Sequence, residues 1–207
     1  MTPVAPRLAG VYALIDPAAH AEPLPYLEAL LRGGIRLVQI RAKGGIAPAL
    51  LRALVARIRA AGATAIVNDD VDLALEADGV HLGQEDLAGQ DLQALRMRFG
   101  ARAIGVSCGT PAEARALPPG LVDYVGAGPI FATSSKSDAG RPIGVNGVRA
   151  VVEATALPVA AIGGITLAAL PRARETGAAM AAVISALAAA ADPEATARAF
   201  VAAWVER

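Results

Sequence analysis

Residues 159–185 read VAAIGGITLAALPRARETGAAMAAVIS, and this stretch decides the predicted fold. An apolar run at Val159–Ile162 ends in Gly163-Gly164, and a second run at Met180–Ile184 ends in Ser185. Paired glycines after a buried strand let backbone amides approach a ligand, and a serine that begins a short helix adds N–H groups that favour an anion. In a (β/α)8 barrel the loops after strands seven and eight form the usual phosphate site. The alternative is that the glycines only pack helix against strand.

Composition indicates an ordinary globular protein with a large aliphatic core. The chain has 207 residues, 55% of them hydrophobic and 3% aromatic, with 19 basic and 19 acidic residues. The balanced charge argues against nucleic acid as a partner. The single cysteine, Cys108, excludes an intrachain disulfide. We see no signal-peptide pattern at the N-terminus and no apolar stretch long enough for a membrane, so we expect a cytoplasmic protein.

Short apolar runs alternate with amphipathic segments along the whole chain. The predicted strands are Val11–Ile15, Ile35–Ile40, Thr64–Val67, Gly79–Leu82, Ala103–Val106, Tyr124–Gly126, Val159–Ile162 and Met180–Ile184. The predicted helices are Leu24–Arg32, Pro48–Ala61, Val71–Glu76, Asp91–Phe99, Thr110–Ala116, Val145–Ala154, Leu167–Glu175 and Pro193–Val205. Near-continuous apolar strands separated by helices indicate a parallel sheet that is buried on both faces. We predict an α/β fold, a single (β/α)8 TIM-barrel domain over residues 1–207, with a doubly wound open sheet as the alternative.

Polar residues follow the carboxyl ends of these strands, the face on which a barrel enzyme carries its chemistry. Gln39, Arg41 and Lys43 alternate at the end of strand two, so we expect them to point the same way. Two cations on one face suit a polyanion, because arginine offers a planar fork and lysine a point charge. The alternative is that they are solvated loop charges.

Asp69 and Asp86 follow the neighbouring strands three and four. Two carboxylates at that spacing can hold Mg²⁺, which takes oxygen ligands and keeps several waters and substrate phosphates. One aspartate of the Asp69-Asp70 pair can instead cap the next helix. We assign Asp70 to the cap and Asp69 to the metal.

The segment after strand six carries Thr133, Ser134, Ser135 and Lys136 on a long excursion. Loops of this length in a compact barrel close over a ligand, although a surface loop is the alternative. His81 lies on an apolar strand, which favours a packed core residue over a catalyst. Cys108 has no neighbouring histidine, which argues against a Cys–His nucleophile.

The residues alone therefore predict two anion sites on one barrel face. One is a backbone cup suited to a monophosphate, and the other is an Arg/Lys and Mg²⁺ site suited to a diphosphate. Such a pair fits the transfer of a group from a diphosphate onto a phosphorylated acceptor. Because no strong general base is evident, the pattern favours a dissociative reaction in which the departing pyrophosphate is stabilised.

These motifs resemble the thiamine-phosphate synthase (thiamine-phosphate pyrophosphorylase) family over nearly the whole chain. The resemblance is carried, in this order, by QIRAK, VNDDVDLALEADGVHLGQEDL, IGVS, GPIFATSSK, AIGGI and VIS. It implies a barrel enzyme that couples a hydroxymethylpyrimidine diphosphate to a thiazole phosphate, with Mg²⁺ and release of pyrophosphate. In that family the loss of pyrophosphate leaves a pyrimidine-methyl cation, which the thiazole nitrogen captures.

The resemblance also implies three groups of site residues. The pyrimidine diphosphate would be held by Gln39, Arg41, Lys43, Asn68, Ser107 and Lys136, of which Lys136, Arg41 and Ser107 are the candidate catalytic residues. The metal Mg²⁺ would be held by Asp69 and Asp86. The thiazole phosphate would be held by Thr133, Ser135, Gly164, Ile184 and Ser185.

Two short segments depart from the family's pattern. Serines stand at Ser134 and Ser135 where many members have threonine, and Cys108-Gly109 stands where many members have a small residue and a histidine. Thiazole tautomerases, a related branch, use a histidine in that loop, which Gly109 cannot replace. A tautomerase stays the nearest alternative, and a non-catalytic barrel that binds thiazole phosphate is another. The sequence leaves open whether the chain forms a homo-oligomer.

Overall fold

Eight parallel strands pair in chain order and close into a barrel. The structure is a computed structural model that describes residues 8–133 and 140–205. The strands are β1 (Gly10–Ile15), β2 (Leu37–Ile40), β3 (Thr64–Asn68), β4 (Gly79–Leu82), β5 (Ala103–Cys108), β6 (Tyr124–Ala127), β7 (Val159–Ile162) and β8 (Met180–Val183). The pairing of β1 with β8, from Gly10 opposite Met180 to Ala13 opposite Val183, closes the ring. The predicted barrel is confirmed, and the open-sheet alternative is wrong.

Helices follow the strands and cover the outside of the barrel. They are α1 (Pro23–Arg32), α2 (Pro48–Ala60), α3 (Gln84–Leu87), α4 (Leu92–Phe99), α5 (Pro111–Ala116), α6 (Gly144–Ala154), α7 (Leu170–Arg174), α8 (Ser185–Ala188) and α9 (Pro193–Val205), with 3₁₀ turns at Pro17–Ala19 and Leu73–Glu76. Within the described ranges, no helix has the length and apolar character needed to span a membrane.

Several predicted boundaries are wrong by a few residues. The structure forms a 3₁₀ turn at Leu73–Glu76 where we predicted a helix from Val71, because Asp70 turns the chain there through hydrogen bonds from the N–H groups of Asp72 and Leu73. The helix predicted over Leu167–Glu175 is shorter, since Thr166 first accepts a bond from Ala169 in a turn. Helix α3 was not predicted, because four residues carry no apolar period.

Thr110 and Glu113 have the sequence spacing of a capping box, which predicts reciprocal hydrogen bonds at the start of α5, but only half of that pattern forms. Thr110 does accept a bond from the Glu113 N–H at 3.2 Å, as an N-cap should. The Glu113 carboxylate, however, accepts from the Gly109 N–H at 2.6 Å and from the Gln84 side chain at 2.5 Å. Glu113 therefore joins the end of β5 to α3 instead of completing the box.

The strands are buried on both faces, which explains their near-continuous apolar sequences. One cluster, which includes Leu27, Leu54 and Phe200, packs between the strands and the helices. A second cluster fills the barrel interior, with Tyr12 and Tyr124 among its residues. The ring of Tyr124 occupies space that only a glycine leaves, because a Cβ at Gly105 would lie 2.1 Å from it. The barrel interior is thus filled by side chains toward the amino ends of the strands and opens toward their carboxyl ends.

Candidate active site at the carboxyl ends of the strands

A cavity of about 800 Å³ opens at the carboxyl ends of the barrel strands. Every site residue that we predicted from the sequence and that the structure describes lines this cavity: Gln39, Arg41, Lys43, Asn68, Asp69, Asp86, Ser107, Thr133, Gly164, Ile184 and Ser185. Ser135 and Lys136 lie outside the described residues. Residues from seven loops or strand ends thus meet at one place, as a barrel active site requires.

The three residues that end β2 lie at different depths in the cavity. Gln39 is buried inside the barrel, Arg41 is half-buried just beyond the strand, and Lys43 is exposed at the mouth. The Arg41 N–H donates to the Ile15 carbonyl oxygen at 2.8 Å, which extends the pairing of β1 and β2 by one residue. All three line the cavity, so two cations and one amide meet there, and their shared direction stays a prediction.

Asp69 is held in an uncommon backbone conformation at the end of β3. Among the described residues it is the only non-glycine residue with a positive φ, 64°. Its N–H donates to the His81 carbonyl oxygen at 2.8 Å, and its Oδ1 accepts from the Gly83 N–H at 3.2 Å. The Asn68 side-chain amide donates to Oδ2. Aspartate tolerates this conformation better than most residues, and these bonds fix the carboxylate at the cavity edge.

Asp86 lies beside Asp69, in the short helix α3, and is exposed. A Cβ on Gly83 would lie 2.9 Å from an Asp86 oxygen and 3.8 Å from an Asp69 oxygen, so both carboxylates meet over this glycine. Burial raises the pKa of Asp69, and the nearby Asp86 charge raises it further. Two adjacent carboxylates of like charge form a donor set that fits a hard divalent cation.

Asp70, predicted to cap a helix, makes cap-like hydrogen bonds, but the element that follows is a 3₁₀ turn. Asp70 Oδ1 accepts from the N–H groups of Asp72 and Leu73 at 3.0 and 2.9 Å, so it fixes the turn after β3. Over residues 8–133 and 140–205 no group of three or more His, Cys, Asp or Glu side chains is placed to hold a metal ion. A metal at Asp69 and Asp86 would therefore complete its shell with water or substrate oxygens, as Mg²⁺ commonly does.

The glycine pair after β7 has positive φ values, 102° at Gly163 and 65° at Gly164. A Cβ on Gly163 would lie 2.5 Å from Pro129, and one on Gly164 would lie 2.4 Å from the Ala132 carbonyl oxygen. The glycines therefore make room for the chain that follows β6 as well as lining the cavity. The alternative, that they only pack helix against strand, does not describe this contact.

Residues 128–133, which we call the β6 loop root, lie along the end of β7. The Ile130 N–H donates to the Ile162 carbonyl oxygen at 2.8 Å, and the Phe131 N–H donates to the Gly163 carbonyl oxygen at 3.0 Å. The Arg172 guanidinium of α7 lies 5.6 Å from the centre of the Phe131 ring, a cation–π contact. These contacts fix the start of the loop that carries Thr133.

Ile184 and Ser185 complete this side of the cavity. β8 ends at Val183, and the four-residue helix α8 begins at Ser185. The first N–H groups of a helix have no acceptor within it, so they are available to an anion. Gly164 has no side chain and the start of α8 offers backbone N–H groups, whereas the β2–β4 side of the cavity carries charged side chains.

Sequence reasoning missed a row of polar side chains inside the barrel. Tyr12 and Tyr124 are buried with their hydroxyl oxygens 2.9 Å apart, and Tyr12 also accepts from Gln39 Nε2 at 2.9 Å. His81 Nδ1 lies 3.1 Å from the Tyr124 hydroxyl, and His81 Nε2 lies 3.1 Å from Ser107 Oγ. His81 lines the cavity, so the interpretation as a packed core residue is wrong. A tyrosine in each of two short strands was the available signal.

Cys108 ends β5 and is buried at the cavity wall. Burial, with the nearby Glu113 charge, raises the pKa of its thiol to about 11. The thiol is therefore protonated near neutral pH, and only the thiolate is a strong nucleophile. This agrees with the expectation that Cys108 is not a catalytic nucleophile.

Comparisons with known proteins show which family this chain resembles. Residues 11–187 match the family model described as thiamine monophosphate synthase. A thiamine biosynthesis bifunctional protein ThiM/ThiE from Symbiobacterium thermophilum is 47% identical over 205 residues, which are 96% of this chain but only 42% of that longer protein. A thiamine-phosphate synthase from Caldivirga maquilingensis is 40% identical, over 95% of this chain and 97% of its own. A solved thiamine phosphate pyrophosphorylase from Pyrococcus furiosus superposes with a TM-score of 0.83 and 31% identity, covering 95% of both chains.

Proposed function

This chain belongs to the thiamine monophosphate synthase family and is a transferase, and we propose that it makes thiamine phosphate. The substrates in this proposal are 4-amino-2-methyl-5-(diphosphooxymethyl)pyrimidine and a (carboxy)thiazole ethyl phosphate. The second product is pyrophosphate, and a thiazole that carries the carboxyl group also releases CO₂. The observation that carries it is that the nine described residues predicted for the two substrates and the two predicted for Mg²⁺ line one cavity, with cationic and acidic side chains on the β2–β4 side and Gly164 and the start of α8 on the β7–β8 side.

The pyrimidine diphosphate would lie on the β2–β4 side. Arg41 and Lys43 stand above buried Gln39, so a ligand can place its ring deep in the barrel and its diphosphate at the mouth. The arginine fork and the lysine charge both suit phosphate oxygens. Asn68 and Ser107 also line the cavity and offer further hydrogen-bonding groups.

Asp69 and Asp86 would hold Mg²⁺, since they are adjacent carboxylates at the cavity edge. When bound, the metal would neutralise charge on the diphosphate oxygens and so make pyrophosphate a better leaving group. The protein's own part is to hold the two carboxylates in place. Asn68, the Gly83 N–H and the positive φ of Asp69 do this for the Asp69 carboxylate.

The thiazole phosphate would lie on the β7–β8 side, against Gly164, Ile184 and Ser185. Backbone N–H groups at a helix start bind a monophosphate without a fixed positive charge. Thr133 follows the β6 loop root and lines the cavity too, so the segment that continues to Ser135 and Lys136 starts beside this cup.

The proposed reaction is dissociative. The carbon–oxygen bond to the diphosphate breaks first, the electron pair leaves with pyrophosphate, and the thiazole nitrogen then attacks the pyrimidine-methyl cation. No proton must be removed before the bond breaks, which fits a site whose cysteine is protonated and whose role is to stabilise departing charge. Arg41, Ser107 and Lys136 are the residues to which we assign that stabilisation.

Pyrophosphate release measured with both substrates and Mg²⁺ tests the proposal. A synthase releases one pyrophosphate for each thiamine phosphate formed. A thiazole tautomerase would interconvert thiazole isomers with no pyrophosphate, and a binding protein would do neither. Either of the last two results, obtained with folded protein, would overturn the proposed function.

A further inference from the structure

Four hydrogen bonds link Gln39 to Ser107 across the interior of the barrel. They run from Gln39 to Tyr12 (2.9 Å), from Tyr12 to Tyr124 (2.9 Å), from Tyr124 to His81 (3.1 Å) and from His81 to Ser107 (3.1 Å). We call these five residues the polar chain. Both of its ends line the cavity, while Tyr12 and Tyr124 are almost completely buried.

The direction of these bonds follows from the first one. Gln39 Nε2 donates to the Tyr12 oxygen, and within the described residues Tyr12 has hydrogen bonds to Gln39 and Tyr124 alone. The Tyr12 proton must then point at the Tyr124 oxygen, because a buried hydroxyl donor needs an acceptor. The Tyr124 proton in turn points at His81 Nδ1. A neutral imidazole that accepts at Nδ1 carries its proton on Nε2, which donates to Ser107 Oγ.

The O–H bonds of Tyr12 and Tyr124 can each keep one fixed orientation. Burial raises the pKa of each hydroxyl far above its usual value, so both stay protonated. The tyrosine rings are held edge to face, with centroids 6.1 Å apart. Gly105 leaves the space that the Tyr124 ring occupies, since a Cβ there would lie 2.5 Å from the Tyr124 hydroxyl oxygen.

We propose that Tyr12, Tyr124 and His81 are positioning residues that fix the hydrogen-bond polarity of both ends of the polar chain. At one end the Gln39 amide is held with Nε2 toward Tyr12, so Oε1 and the second N–H are left for a ligand. At the other end Ser107 accepts from His81, so its own O–H is left to donate into the cavity. Reversal of either end would require every bond between them to reverse.

This polarity selects a class of ring. A carboxamide with its oxygen and one N–H free pairs with an exocyclic amine beside a ring nitrogen, the pattern that glutamine reads on adenine. A 4-aminopyrimidine presents that pattern, whereas its 4-oxo analogue presents the reverse, an oxygen beside a ring N–H. The identity of the ring rests on the proposed function, but the polarity of the polar chain does not.

The polarity itself can be measured in the unmutated protein without any substrate. The chain has two histidines, His20 and His81, so ¹⁵N NMR of histidine-labelled protein gives two ring systems, and a His20→Gln variant assigns them. We expect His81 to be neutral, with Nε2 protonated and Nδ1 bare. A proton on Nδ1 would overturn the inference. This result stands whether or not the protein releases pyrophosphate, so it is separate from the test of function.

The selectivity is tested by comparing the 4-amino and 4-oxo pyrimidine diphosphates. We expect the unmutated protein to prefer the amine by roughly 10- to 100-fold in kcat/KM. Tyr124→Phe removes the central hydroxyl but keeps the ring. It should lower this preference by about tenfold, because the Gln39 side-chain amide can then rotate so that its oxygen and nitrogen exchange places. Tyr12→Phe should do the same and serves as a second variant should the first fail to fold.

Tyr26→Phe is the matched control. Tyr26 is also a buried tyrosine, on α1 outside the barrel interior, and its hydroxyl has no hydrogen-bond partner among the described residues. Its loss should leave the amine preference unchanged. If Tyr12→Phe and Tyr124→Phe keep the unmutated protein's full preference for the 4-amino over the 4-oxo pyrimidine diphosphate, the inference is wrong even where their kcat falls. A loss of preference in all three variants would contradict it equally, since the effect would then be one of general packing.

Discussion

The two sides of the cavity are built from different groups. The β2–β4 side presents charged side chains, with Arg41 and Lys43 near the Asp69 and Asp86 carboxylates. The β7–β8 side presents a glycine pair and the start of a four-residue helix. A side-chain site can be altered one charge at a time, whereas the cup depends on where the backbone runs. Because the glycines also admit the β6 loop root, a change in the cup reaches the loop that carries Thr133.

The largest effect should come from the side-chain side. Asp86→Ala removes one of the two carboxylates assigned to Mg²⁺, and we expect Mg²⁺-dependent pyrophosphate release to fall by at least about 1000-fold. The fold should survive, because Asp86 is exposed. Glu85→Ala is the control, since it removes an exposed carboxylate from the same short helix and should have much less effect. Unchanged release in Asp86→Ala would refute the metal assignment.

The next effect concerns Lys136, on the segment after strand six that we predict to close over a ligand. We assign it to the charge that grows on pyrophosphate as the bond breaks. Such an interaction raises turnover more than affinity, so Lys136→Ala should lower kcat on the order of 100- to 1000-fold, about 3–4 kcal/mol, and change thiazole phosphate affinity little.

Lys43→Ala is the variant to compare with Lys136→Ala, because Lys43 is the other lysine of the chain and lies at the cavity mouth. It should raise KM for the diphosphate more than it lowers kcat. The role assigned to Lys136 is wrong if steady-state kinetics give Lys136→Ala the kcat of the unmutated protein.

A smaller and more local effect is expected in the cup. Gly164→Ala places a Cβ against the Ala132 carbonyl oxygen at a φ of 65°, a strain of roughly 1–3 kcal/mol. Calorimetry should show thiazole phosphate binding weakened about 10- to 100-fold and diphosphate binding weakened far less. Gly89→Ala is the control, because nothing lies within 4 Å of a Cβ there. Equal losses for both ligands in Gly164→Ala would mean that the cup is misplaced.

The smallest effect should come from Glu113, which ties the end of β5 to the helix that carries Asp86. Glu113→Gln weakens this tie, and since the residue is exposed we expect only a two- to fivefold rise in the Mg²⁺ concentration that gives half-maximal turnover. Glu153→Gln changes an exposed glutamate on α6 and should leave that concentration unchanged. A Mg²⁺ requirement that is identical in both variants would show that Glu113 does not position Asp86.

The order of strands and helices could be predicted from the sequence because each apolar run is short and ends in glycine or polar residues. Gly79–Leu82 and Pro193–Val205 were predicted with the bounds that the structure has. Helix α3 was missed, since GQEDL has acidic residues but no apolar face. The hydrogen-bond partner that spacing predicts for Glu113 is wrong. Spacing alone cannot tell whether a carboxylate accepts from its own N-cap residue or from a neighbouring loop.

The cavity walls could be predicted because polar residues collect at strand ends, as Asp69 and Ser107 do. The barrel interior could not. Both faces of a parallel strand are buried, so the sequence around Tyr12 or Tyr124 does not show which side chains point inward. His81 seemed to be a core residue for the same reason. Its partners come from β5 and β6, 26 and 43 residues away in the chain.

The most direct test of two differently built sites is the Mg²⁺ dependence of each ligand's affinity. Calorimetry would measure binding of the pyrimidine diphosphate and of the thiazole phosphate separately, with Mg²⁺ and with a chelator. We predict that removal of Mg²⁺ weakens diphosphate binding at least about tenfold and changes thiazole phosphate binding less than about twofold. Equal dependence for both ligands, or a dependence confined to the thiazole phosphate, would contradict the account.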